Sequence, residues 1–198
     1  MKKKICLHLL TPLMKKLYFT AKEAKALGVQ RAVLHYYVKT GVLIRMAKGV
    51  YRDSSYESTA FQWEDLIEAV SSVPGGVICL ISALAIYELT DELPRQHWIA
   101  VKNSTYIHRS SDYKIMRFRN LTLGKIEIKL EGVLVPIFDR ERTIIDAFRL
   151  LSLEIAIKAL KMALKPHRGK EKIDFIKLQK YAKLLRVSIH PYLMAVTT

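Results

Sequence analysis

Three basic side chains, Arg31, His35 and Lys39, recur at four-residue intervals in one short segment. On a helix, that spacing lines a single face. Arginine and lysine offer donors only, and an imidazole switches between neutral and charged forms. Such groups bond phosphate oxygens, and a guanidinium matches the acceptor edge of guanine. The pattern points to nucleic acid. Two acid-bearing patterns suggest other chemistry. Asp112 with Glu127-Ile128-Lys129 has the residue types of a metal-dependent nuclease, in which two carboxylates hold a divalent cation and a lysine meets the reacting phosphate. Acid-x-lysine triplets are common in alternating strands, and Ser111 stands where such nucleases carry a proline, so a solvated strand face is expected. The other pattern is Asp139-Arg140-Glu141-Arg142, followed by Thr143 and Asp146. The helix dipole favours acids near a helix start, and nearby arginines pair with them, which predicts local charge pairing rather than catalysis. No enzymatic activity and no cofactor are expected. The six histidines show no H-x-H or H-x-x-x-H spacing, so no metal site is expected. Cys6 and Cys79 belong to no C-x-x-C pair and are expected to be buried, reduced thiols.

The elements that must position the basic face are legible around it. Thr20-Ala21-Lys22-Glu23 has the form of a capping box. It predicts a short helix through Ala26, ended at Leu27-Gly28-Val29 by a glycine suited to a left-handed turn. A second helix is expected from Gln30 to Thr40, closed by Gly41. Val33, Leu34, Tyr37 and Val38 give it an apolar stripe, and Arg31, Ala32, His35 and Lys39 face the other way, with Tyr36 at the border. Two short helices joined by a glycine-containing turn match a helix-turn-helix. The β-prone stretches flanking Ala47-Lys48-Gly49 predict a basic hairpin, or wing, after it. The candidate DNA contacts are Thr20, Gln30, Arg31, His35, Tyr36, Lys39, Arg45, Lys48 and Arg52. Residues 2–16 are expected to supply the first helix, across Pro12.

Charge divides the 198 residues more sharply than the net +15 suggests. Residues 1–52 carry +11, residues 53–157 carry −4 and residues 158–186 carry +8. With the polar stretch Asp53-Ser54-Ser55-Tyr56-Glu57-Ser58, this predicts a DNA-binding domain over 1–56 and a second domain over 57–198. In the second, helices are expected at 61–72, 82–89, 140–150, 154–164 and 174–185, with Ser82 as an N-cap. Strands are expected at 97–101, 114–119, 125–130 and 133–138, while 77–80 reads as either a buried strand or a helix start. The class is α+β: a winged helix-turn-helix, then a mixed α/β domain with a largely antiparallel sheet and C-terminal helices. Lys158, Lys161 and Lys165 share one helix face and form a possible second basic surface. Lys177, Lys180 and Lys183 make a looser stripe, opposite the core candidates Phe175, Leu178, Ala182 and Leu185. The longest mainly apolar run, Val77 to Tyr87, is too short to span a bilayer. No signal-peptide pattern follows Lys2–Lys4, so a cytoplasmic protein without membrane contact is expected.

The run FTAKEAKALGVQRAVLHYYVKTGVLIRMAKGVYR, residues 19–52, resembles the N-terminal domain of AbiEi antitoxins, from abortive-infection, type IV toxin–antitoxin systems. The likeness continues in GGVICLISALAIYELTDELPRQHWIAV (75–101), FDRERTIIDAFR (138–149) and KLQKYAKLLRV (177–187). The resemblance implies an antitoxin that binds double-stranded DNA at inverted repeats upstream of its own operon and represses it. It implies that the larger C-terminal part counters a partner toxin resembling nucleotidyltransferases, without requiring a stable complex. The alternatives are a stand-alone winged-helix regulator of other genes, and a metal-dependent nuclease.

Overall fold

The computed structural model describes residues 7–16, 18–47, 49–55, 62–92, 94–107, 112–165 and 173–197. Cys6, Lys48, Phe61 and residues 56–58 of the expected linker lie outside them. The chain forms two compact units: Met1–Ser72 with Ile128–Val135, and Val73–Glu127 with Pro136–Thr198. The first unit thus extends beyond the point where the charge changes sign. The mixture of helix and sheet is α+β, as the sequence predicts.

In the first unit, helices α1 (Leu7–Met14), α2 (Ala21–Ala26) and α3 (Arg31–Lys39) surround Leu10, Phe19, Ala24, Leu34 and Tyr37. α1 runs through Pro12, and Leu10 and Leu13 anchor it in this core. Strands β1 (Phe19–Thr20), β2 (Leu43–Ala47) and β3 (Val50–Asp53) form a sheet in the order β1-β3-β2, both pairs antiparallel. The capping box forms as expected. The Thr20 hydroxyl accepts from the Glu23 N–H at 3.2 Å, and the Glu23 carboxylate accepts from the Thr20 N–H at 2.7 Å. Gly28 follows α2 with φ 82°, a conformation that costs an L side chain energy. α4 (Glu64–Ser72) completes this unit with Leu66, Ile67 and Val70 buried.

The larger sheet has the order β6-β5-β4-β8-β7, from β4 (Val77–Ile78), β5 (His97–Lys102), β6 (Tyr113–Phe118), β7 (Lys125–Leu130) and β8 (Val133–Phe138). β4 pairs antiparallel with β5 and parallel with β8, and β5 pairs parallel with β6. Only Glu131 and Gly132 separate β7 from β8, with φ 47° and 89°. Two successive positive φ values describe a tight hairpin turn, which only antiparallel strands can use.

Helix α6 (Arg140–Leu150) forms the centre of the second unit, packed against α5 (Leu80–Ile86), α7 (Leu153–Leu164) and α8 (Phe175–Leu185). Seven consecutive residues, Glu141 to Ala147, are buried, and four of them are polar or charged. Burying these groups unpaired would cost several kcal/mol each, so their partners decide the local structure. Arg142 Nε donates to Asp146 Oδ2 at 2.7 Å, and its Nη1 donates to the Leu123 carbonyl at 3.1 Å. Its guanidinium lies 4.7 Å from the centre of the Phe138 ring. Arg149 takes the other Asp146 oxygen at 2.6 Å. Burial pushes the Asp146 carboxyl up, and Arg142 and Arg149 pull against it. Asp139 caps the helix through the Arg142 N–H and accepts from the Tyr181 hydroxyl at 3.0 Å. Local pairing is therefore present, but it sits in a buried network reaching to α8.

Three expectations change here. Ser82 does not cap α5. Cys79 holds the N-cap position, and the fully buried Ser82 hydroxyl accepts the Trp98 N–H at 2.8 Å. Phe175 is 45% exposed, because the α8 face turned inward is Leu178, Tyr181 and Ala182. Lys177 leaves the solvated stripe to lie 3.0 Å from Asp139 and 3.4 Å from Glu141. Burial opposes its charge, but these carboxylates outweigh that and hold the ammonium up at about 12. A ninth helix, α9 (His190–Thr197), follows α8 among the described residues.

Gly124, at φ 68°, leads the chain past Arg142, and a Cβ there would meet the Arg142 Cβ at 2.7 Å. Gly132 shares the positive φ but faces open space. Gly124→Ala should cost about 2–4 kcal/mol, combining overpacking with left-handed strain, and Gly132→Ala about 1–2 kcal/mol from strain alone. Urea unfolding midpoints measure both, and equal losses would show that the Arg142 contact carries no weight.

Candidate nucleic-acid interface

α2 and α3 are joined by the Leu27-Gly28-Val29 turn, and Val29 is buried beneath it. Gln30 occupies the N-cap of α3 without a side-chain capping bond. Leu34 and Tyr37 face the core, with Val33 and Val38 packed at its edge. Burying this stripe fixes the rotation of α3 and leaves Arg31, Ala32, His35 and Lys39 exposed on the opposite side. Tyr36 is half-buried, its ring 5.7 Å from that of Tyr37.

The wing forms with an irregularity that redistributes its charges. Ala47 pairs with Val50, but Arg45 pairs with Tyr51 and Ile44 with Arg52, because the register shifts between Arg45 and Ala47. A uniform hairpin continuing from the Ala47–Val50 pair would place Arg45 opposite Arg52. The bulge instead puts Arg45 on the face of Tyr51 and turns Arg52 to the other side. Arg52 there forms an ion pair with Glu64 of α4, with side-chain exposures of 13% and 21%. Tyr18 lies in the same region, and burial, reinforced by Glu64, pushes its hydroxyl up to about 12.

On the other side of the wing, Arg31, Ala32, His35, Arg45 and Tyr51 line a cleft of about 380 Å³. The structure therefore brings together three of the nine sequence-derived candidates: Arg31, His35 and Arg45. Lys39 extends the same α3 face, and Gln30 precedes it. Thr20 and Arg52 are engaged elsewhere, in the capping box and with Glu64. Glu23 sets a carboxylate, paired with Lys16 at 2.9 Å, at the start of α2. Lys48 lies outside the described residues. Sequence reasoning missed Tyr51, whose ring stacks on Phe19 at 6.0 Å and is 4% exposed. The missing signal was the bulge.

The nuclease pattern is not assembled. Asp112 precedes β6 and Glu127 lies on β7, at opposite edges of the five-stranded sheet. Four strand spacings, about 19 Å, separate those edges. Glu127 and Lys129 are both exposed. Among the described residues, no three His, Cys, Asp or Glu side chains are grouped to hold a metal ion. Of the C-terminal lysines, Lys158 pairs with Asp91 at 2.6 Å, and that bond raises its pKa. Lys161 and Lys165 are exposed. Cys79 is a buried free thiol, pushed well up by burial. No helix among the described residues is long and apolar enough to cross a membrane.

The two wing arginines should separate by stability. Arg52→Ala removes the largely buried ion pair with Glu64 and should cost about 1–2 kcal/mol. Arg45→Ala, at an exposed site, should stay within about 0.5 kcal/mol. Thermal or urea unfolding of both variants checks this, and an Arg52→Ala protein as stable as the parent would refute the structural role of the ion pair.

No match is found among curated proteins. Residues 13–52, which hold α2, α3, β2 and most of β3, match the model of a protein family described as "Transcriptional regulator, AbiEi antitoxin", so this segment carries the signature of that family.

Proposed function

We propose that the chain is the antitoxin of a toxin–antitoxin pair and a DNA-binding repressor of its own operon. The observation that carries this reading is the exposed Arg31, His35 and Lys39 face of α3 beside Arg45 of the wing, within a segment of net +11. α3 enters the major groove and the wing meets the flanking backbone. Gln30, Tyr36 and Lys48 surround this surface in sequence and belong to the proposed contact region, while Arg52 and Thr20 are held by Glu64 and Glu23. The family description, regulator and antitoxin, supports both halves of the proposal.

Division of labour follows the charge pattern. Residues 1–56 bind DNA, and residues 57–198 counter a nucleotidyltransferase-like toxin, with Lys161 and Lys165 as the cations of the second basic surface that pair with no acid among the described residues. A regulator of unrelated genes is the second reading. It is favoured by the family match ending at residue 52. The two readings share the DNA interface and differ in whether a toxin is countered.

Duplex DNA from the chain's own upstream region should be shifted with a log–log salt slope of roughly −4 to −5, if about four to six phosphates are neutralised. No binding at low salt, or a slope near zero, would sink the DNA reading. In cells co-expressing the toxin, the Lys161→Glu/Lys165→Glu protein should lose protection while still binding DNA, and Arg31→Ala/Lys39→Ala should do the reverse. A full-length protein that binds DNA but gives no protection would favour the stand-alone regulator.

A further inference from the structure

The cleft at the base of the wing has a composition beyond what general DNA binding requires. Its charged and titratable lining consists of Arg31 and His35 from α3, Arg45 from β2 and Tyr51 from β3, and none of the lining residues is acidic. Lys39 adds a further positive charge on the α3 face, four residues beyond His35. Tyr51 is 4% exposed, and its ring is fixed by the stack on Phe19 at 6.0 Å. No hydrogen bond of its hydroxyl is found among the described residues, and the residue lines the cleft. Two guanidiniums, a phenol donor and an imidazole around one concavity suit a single tetrahedral anion with several acceptor oxygens.

We propose that this cleft grips one backbone phosphate of duplex DNA, and that His35 takes up a proton when the phosphate enters. The inference rests on the DNA-binding reading above and deepens it by naming the group bound and a regulator of binding, pH. In the free protein the cleft is lined by cationic side chains and by no acid. An entering phosphate reverses the local field and stabilises the imidazolium, which then donates to a phosphate oxygen. Binding is thereby linked to proton uptake, so affinity rises as pH falls. An imidazole ordinarily titrates near pH ~6.5, within the range where such a link alters binding. The contact is with the backbone, so the effect is common to specific and random duplexes.

The test uses the full-length protein with a duplex from its own upstream region and a random duplex of equal length, at pH 6.0 and 7.5 and matched salt. The parent should bind both about three- to tenfold tighter at the lower pH, with a salt slope steeper by about 0.9. His35→Gln should bind weakly at both values and lose the His35-dependent part of the change, while His35→Arg should bind tightly at both. Tyr51→Phe keeps the ring stack and should weaken both duplexes about fivefold or more while retaining the pH dependence. DNA binding that is flat with pH, or equally steep in His35→Gln, would overturn the proton link. A Tyr51→Phe protein indistinguishable from the parent would overturn the cleft as the phosphate site. Absence of binding at either pH would remove the DNA reading itself, and this inference with it.

Discussion

The buried guanidinium of Arg142 ties several elements of the second unit together. It is 1% exposed, and an isolated charge there would be prohibitively costly. Its bonds reach Asp146, Leu123 and Asn120, and its plane lies against Phe138. Each partner fixes something else. The Leu123 and Asn120 carbonyls hold the loop that brings in β7, and Gly124 is required there because the chain passes against the Arg142 side chain. Asp139, the cap of α6, holds Tyr181 and Lys177 and so sets α8 against α6. An apolar side chain of similar volume would remove the desolvation cost. It would also remove the geometric demand that fixes loop, cap and helix together.

The first unit is constrained differently. Its core is a cluster of Leu10, Phe19, Leu34, Tyr37 and Tyr51, and polar groups act at its edges. The capping box starts α2, glycines with positive φ end α2 and α3, and the bulge in β2 sorts the wing arginines onto opposite faces. Arg52 then serves cohesion through Glu64, and Arg45 joins the α3 face. Two residues of the same type and similar sequence context thus acquire different roles from one extra residue in a strand.

This explains what was legible in the sequence. Elements with strong local signals were readable: the Thr20–Glu23 box, the α3 stripe, and strands 125–130 and 133–138 whose bounds match those expected. The exposed face of α3 followed from periodicity alone. Features set by distant partners were not readable. Ser82 looks like a cap, but its hydroxyl is claimed by the Trp98 N–H sixteen residues away. Phe175 looks like core, but Tyr181 is needed inward to reach Asp139 and takes that side of α8. The Tyr51 position depended on a register shift that no composition rule signals.

Charge totals mislead for the same reason. The C-terminal segment carries +8, yet Lys158 is offset by Asp91, and Lys177 is drawn into the Asp139–Glu141 pair. In the N-terminal segment Lys16 pairs with Glu23 and Arg52 with Glu64, so its +11 overstates the charge open to a ligand. A binding surface depends on which charges lack internal acids and converge. Among the described residues, the α3–wing cleft joins converging cations with a lining that contains no acid. Its cations lie on one helix face and one strand whose relative placement is fixed by the buried Leu34, Tyr37 and Tyr51. The apolar core of this unit therefore sets the geometry of its electrostatics, and a core substitution that rotates α3 would disperse the cleft without removing any charge.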